Sequence, residues 1–179
     1  KPALENDKQI IGVEYFDFER PPVIEGQIWG RWRERELTGF SAAIAATNFT
    51  FRAQQVDRLT SRLALTNGAL HATNSVLDRR EGGATLEALG FDVKTKRLYL
   101  TNAVGQVDPV AVTRAIGPRT ARALEPYRFS EPPKASVNGW VQTGPGRNPA
   151  DLHFEVDGGG FQFSKFKTDD INGDIFWKG

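Results

Sequence analysis

The 179-residue chain contains no cysteine and no methionine, and its only histidines are His71 and His153. Without thiols there is no disulfide, no thiolate metal site and no cysteine nucleophile. The compartment stays open, because an oxidising space permits disulfides without requiring them. A sequence without even an initiating methionine is expected to be a piece of a longer protein. An excess of one charge is also missing: 23 Lys and Arg face 22 Asp and Glu, for a net charge of +1. That balance supplies neither a field for nucleic acid nor a polybasic membrane anchor. No apolar run approaches the roughly 20 residues of a bilayer span, and the opening KPALENDK lacks the regions of a signal peptide. With 39% hydrophobic and 25% charged residues, the remainder has the composition of a folded domain.

Short segments of two-residue periodicity fill the first two thirds, among them GVEYFDF, VIEGQIWGRW, FSAAIAAT, VDRLTSRLALT and RLYLTNAV. This alternation predicts β-strands. Leu152, Phe154 and Val156 alternate with His153, Glu155 and Asp157, which gives one apolar and one polar face, as in an antiparallel sheet wetted on one side. Residues 108–125 break the rhythm. Asp108 is an N-cap, Pro109 suits the first helical position, and Gly117-Pro118 kinks the helical stretch into two pieces. The expected fold is mainly β: an antiparallel sheet, as open groove or sandwich, with one kinked helical insertion.

The chain repeats itself. FERPPVIEGQIWG at residues 18–30 returns as FSEPPKASVNGWV at 129–141. At an offset of 111, Phe16 meets Tyr127, Phe18 meets Phe129, Pro21-Pro22 meets Pro132-Pro133 and Trp29 meets Trp140. One residue later in the second copy, Phe40 meets Leu152, Ile44 meets Val156, Phe49 and Phe51 meet Phe161 and Phe163, and Leu63 and Leu65 meet Ile175 and Trp177. We therefore expect one β-rich domain over 1–179, made of a unit at 14–124 and a shortened unit at 125–179. Units that stack edge to edge share an apolar face, and an uncapped unit leaves a strand edge open to self-association. Two similar halves of a closed sandwich are the alternative.

The run from Leu65 to Asp108, the helix and Pro-Pro after it, and the ending VDGGGFQFSKFKTDDINGDIFWKG resemble the periplasmic repeats of AsmA-like proteins. The resemblance implies a bacterial envelope protein, anchored in the inner membrane outside this segment. It also implies a long periplasmic β-groove that moves or organises phospholipid between two membranes. Phe40, Ile44, Phe49, Phe51, Leu63, Leu65, Phe154, Phe161, Phe163 and Trp177 are the candidates for lining such a groove. Each CH₂ they bury is worth about 0.8 kcal/mol. The same residues would serve equally as a sealed core, the commoner use of aromatic residues.

Chemistry finds little support. His153 lies on a polar strand face with no obvious ligand pair, so no metal is expected. TDDINGDI, with Asp169, Asp170, Asn172 and Asp174 around Gly173, lacks the spacing and closing glutamate of a calcium loop and reads as a turn. Gly158-Gly159-Gly160 precedes Phe161-Gln162-Phe163, a strand, where a phosphate cradle needs a helix. Trp29 and Trp32 sit among arginines whose charge Glu34 and Glu36 offset, which leaves a solvated hairpin. No carboxylate pair or serine is placed for catalysis by its spacing. The expectation is a non-enzymatic segment without cofactor that guides an acyl-chain lipid. Its rival is a surface β-sandwich binding a glycan or protein partner through Trp29 and Trp32. A hydrolase would require carboxylates to converge with His71 or His153 in one cleft.

Overall fold

In a computed structural model, which describes residues 15–31, 34–116, 121–122, 124–143 and 149–179, the chain is mainly β and antiparallel throughout. The strands are β1 (Phe16–Phe18), β2 (Val23–Arg31), β3 (Glu34–Phe51), β4 (Gln54–Thr66), β5 (Ala69–Arg79), β6 (Gly82–Asp92) and β7 (Arg97–Gln106). After helix α1 (Pro109–Ile116) come β8 (Tyr127–Phe129), β9 (Lys134–Gln142), β10 (Ala150–Asp157), β11 (Phe161–Phe163), β12 (Phe166–Thr168) and β13 (Asn172–Lys178). Ten strands form one sheet in the order β1-β3-β4-β5-β6-β7-β9-β10-β13, with β2 also on β3. The sheet does not close into a barrel, and β12-β11-β8 form a second, small sheet.

Local chemistry explains the connections. Asn67-Gly68 joins β4 to β5 with both residues at positive φ, 52° and 75°, the geometry of a two-residue hairpin turn matched to strand twist. Asp108 caps α1 by accepting from the Val110 N–H at 2.9 Å, as its position before Pro109 predicts. The expected kink at Gly117-Pro118 lies outside the described residues. Beyond it, Glu125 N donates to Ala121 O at 3.1 Å, one helical turn.

Pro21-Pro22 stands between β1 and β2, which lie end to end along the same neighbour: β1 on Phe49–Phe51 and β2 on the stretch below Ala46. The ladder is interrupted there, so donors absent from prolines are not missed. Pro132-Pro133 stands likewise between β8 and β9, packed against Gly159 so closely that a Cβ on Gly159 would lie 2.8 Å from Glu131 O.

The pairings themselves recur at the offset seen in the sequence. Phe16 opposite Phe51 and Phe18 opposite Phe49 return as Tyr127 opposite Phe163 and Phe129 opposite Phe161. Ile28 opposite Phe40 returns as Gly139 opposite Leu152, and Phe40 opposite Leu65 as Leu152 opposite Trp177. Conserving register keeps each side chain on its face, since a one-residue slip would invert them all.

Candidate functional site

Residues directly opposite one another share a face, so the registers can be followed across the sheet. One such row runs Gly26, Ala42, Leu63, Ala72, Leu89, Leu100, Gly139, Leu152, Trp177, through nine strands without a polar side chain. Two residues along each strand, Phe40, Leu65, Leu70, Phe91, Leu98 and Val141 form a second row. On the other side, Leu86, Ala103, Val137, Phe154 and Ile175 form a third, and Ala46, Leu59, Leu77, Ala84, Gly105, Ala135 and Val156 a fourth. The alternate positions carry Arg62, His71, Thr73, Thr85, Ser136, His153, Glu155 and Asp174, with Val76, Tyr99, Val104, Trp140 and Phe176 among them. The sheet is therefore amphipathic across its width.

Keeping the four rows in line requires a local adjustment. β5, β6 and β7 each carry one residue more between the third row and the Leu89 row than the strands on either side. In β5 and β7 the surplus is absorbed by Asn74 (φ 50°) and Asn102 (φ 47°), left-handed residues of the kind that asparagine tolerates best after glycine. Asn102 is held by two contacts: its N–H donates to Asn138 Oδ1 at 2.8 Å and its Nδ2 to Glu87 Oε2 at 2.5 Å. Both sit in a Thr-Asn dipeptide, Thr73-Asn74 and Thr101-Asn102, as does Asn48 (φ 50°) after Thr47 in β3. The dipeptide, found a fourth time at Thr66-Asn67 in the β4–β5 turn with Asn67 also at positive φ, was the available sequence signal for a left-handed residue at these points.

Apart from α1 against β4, the strands' main contacts are with their sheet neighbours, so no second layer covers the apolar rows among the described residues. Among the described residues the one buried strand cluster is small: Ala46, Phe49 and Val56, with Phe16, Phe18, Phe51, Leu59 and Leu77 packed on it. It continues the Ala46 row and closes that end. Phe49 is 2% exposed, with the rings of Phe18 and Phe16 centred 5.2 and 6.0 Å away. Arg52 ties the helix to this end, donating to Ala115 O at 3.1 Å with its guanidinium 4.3 Å from the Tyr15 ring centre.

Of the ten candidate lining residues, Phe40, Ile44, Leu63, Leu65, Phe154 and Trp177 share the apolar face. Phe49 and Phe51 belong to the closed end cluster, and Phe161 and Phe163 to the small sheet with Tyr127 and Phe129. Those four do not form one continuous surface with one another. Phe49 alone of the ten is buried. Leu70, Leu86, Leu89, Phe91, Leu98 and Leu100, at the centre of the face, were missed because β5–β7 have no counterpart in the second copy.

The polar face gathers one constellation. His153 Nε2 lies 2.6 Å from Asp174 Oδ1, and Glu155, directly opposite Asp174, accepts from Ser136 Oγ at 3.0 Å. The ligand atoms of His153, Glu155 and Asp174 lie within 4.8 Å of one another, a donor set a divalent cation could use. It sits on the open face rather than in a cleft, with the His153 ring stacked on Phe176 at 4.4 Å and Ser136 engaged by Glu155. Asp169 and Asp170 precede β13 in a strand-to-strand turn, where Asn172 Nδ2 bonds Asp157 Oδ1 at 3.0 Å. Trp29 is exposed at the β2 edge, and Trp32 lies outside the described residues.

No described helix is long and apolar enough to cross a membrane. Comparison with protein-family models, with curated proteins and with solved structures finds no match to the chain.

Proposed function

We propose that this chain is a non-enzymatic lipid-holding segment whose uncovered apolar sheet face receives acyl chains. The observation that carries the proposal is the apolar face made by these rows, over which, outside the end cluster at Ala46, Leu59 and Leu77, no second layer lies among the described residues. An apolar sheet face left uncovered is a binding surface or an aggregation hazard.

Dimensions favour a chain-like occupant. Nine strands spaced about 4.8 Å apart give a face roughly 38 Å wide, and an acyl tail spans about 15 Å, half the bilayer core. Two tails fit along the rows end to end. The side chains of the central rows are half-buried although nothing lies over them, as on the inside of a curved sheet, and bulges at Asn74 and Asn102 add curvature. The resemblance to AsmA-like repeats supplies the setting: the envelope of a bacterium with two membranes, and phospholipid as the occupant.

The test is mass spectrometry of organic extracts from protein purified without detergent. Near-stoichiometric phospholipid is the expected result. An extract free of acyl lipid, from protein that also fails to take up lipid from vesicles, would refute the proposal.

A further inference from the structure

Among the described residues, one group of three ligand-type side chains stands on the polar face of the sheet, where β10 meets β13. His153 and Glu155 are two residues apart on β10, so strand alternation puts both on that face. Asp174 on β13 stands directly opposite Glu155 and diagonal to His153. Three donors thus converge from two paired strands, with no loop between them. Phe154 and Ile175 lie on the apolar side, so this group is separated by the sheet itself from the proposed lipid surface and does not depend on it.

We propose that His153, Glu155 and Asp174 bind a divalent transition cation, zinc foremost, through His153 Nε2 and one oxygen of each carboxylate. An imidazole in the set disfavours magnesium and calcium, which take oxygen ligands, and two carboxylates make the filled site neutral. Zinc holds such ligands at about 2.0–2.2 Å, which places neighbouring donor atoms of a tetrahedron about 3.4 Å apart. The 2.6 Å between Nε2 and Asp174 Oδ1 must open and the wider separations, none above 4.8 Å, must close, each by about 1.5 Å or less. Side-chain torsions supply such movements with the backbone fixed. Water completes the fourth position.

Three further observations point to a cation. Glu155 and Asp174 are like charges in directly opposed positions, which costs energy unless positive charge sits between them. On β9 the residues opposite Glu155 and His153 are the neutral Ser136 and Asn138, while Lys134 faces Asp157. A protonated His153 offsets one carboxylate; a dication offsets both. Two contacts also orient the donors from outside the set: Ser136 Oγ donates to Glu155 Oε2 at 3.0 Å, engaging one of its two oxygens, and the Phe176 ring lies parallel to the imidazole at 4.4 Å. Finally, the set belongs to the second unit alone. Its counterparts in the first, Ser41, Ala43 and Arg62, are paired in the same register and hold no ligand set, so the sheet framework does not demand these side chains.

Isothermal titration of the metal-stripped whole chain, carrying no histidine tag, with Zn(II), Ca(II) and Mg(II) reads the outcome. A single equivalent of Zn(II) is expected to bind, with the other two ions about a hundredfold weaker or more. His153→Ala and Asp174→Asn should each weaken zinc binding about a hundredfold, and Ser136→Ala about tenfold by releasing the Glu155 carboxylate. His71→Ala removes the other histidine of the chain and should change nothing. Circular dichroism confirms that each variant is folded. In the unsubstituted protein, the nitrogen-15 shift of His153 Nε2 should move on zinc addition while those of His71 stay. Absence of zinc binding, an affinity untouched by His153→Ala or Asp174→Asn, an equal loss in His71→Ala, or a preference for Ca(II) would each overturn the proposal.

Discussion

Leu89 and Leu100 face each other on β6 and β7 near the middle of the longest apolar row, and neither belongs to the buried cluster. Replacing both with glutamine tests whether the face holds lipid or merely tolerates exposure. Fully burying a leucine is worth about 1.5–3 kcal/mol. Both are already half-covered by neighbours, so an occupying acyl chain gains about 1 kcal/mol from each. Losing both should weaken lipid binding by about 2 kcal/mol, roughly thirtyfold. Displacement of a fluorescent long-chain fatty acid by phospholipid measures the ratio, with circular dichroism confirming the fold. Thr85→Gln with Thr101→Gln, on the polar face of the same two strands, is the control and should leave affinity within about twofold. A folded Leu89→Gln, Leu100→Gln protein that binds within about threefold of the parent would refute the assignment of this face.

Phe49→Ala should cost about 4 kcal/mol in urea unfolding, since it empties the one closed cluster. Phe161→Ala, at the corresponding position in the second copy but only half-buried, should cost about half as much; equal losses would contradict the burial seen. Asn102→Val forces a β-branched residue into the left-handed region and should destabilise by about 2 kcal/mol, whereas Asn102→Gly should stay within about 0.5 kcal/mol of that position's strain-free cost, as urea midpoints will show. Asp92 Oδ1 accepts the Thr95 and Lys94 N–H groups at 3.1 and 2.8 Å, and these bonds, Thr95 first, hold its carboxyl below the usual range. A lowered folded pKa means the contribution is present above the unfolded value near 3.9 and lost as pH falls through the folded one. The urea midpoint advantage over Asp92→Asn should thus persist at neutral pH and vanish in acid; a constant difference would exclude the linkage.

Much of the fold was legible because its rules are local. Alternation gave the strands, Asp108-Pro109 the start of α1, and the 111-residue offset corresponds to a recurrence of strand pairing. The face assignments of Leu152, Phe154 and Val156 match their registers with Gly139, Val137 and Ala135. Sequence rhythm failed where a single residue changes the phase. Phe49 and Phe51 lie beyond the left-handed Asn48: strict alternation from Phe40 and Ile44 would put them on the opposite face, and the phase change at Asn48 instead brings Phe49 to the side of Ala46, where it closes the end cluster. Phe161 and Phe163 lie beyond Gly158 and Gly159, both at positive φ, which carry the chain out of the large sheet. The polar constellation was hidden for another reason: His153 and Asp174 meet only through the register of β10 with β13, which no local pattern encodes.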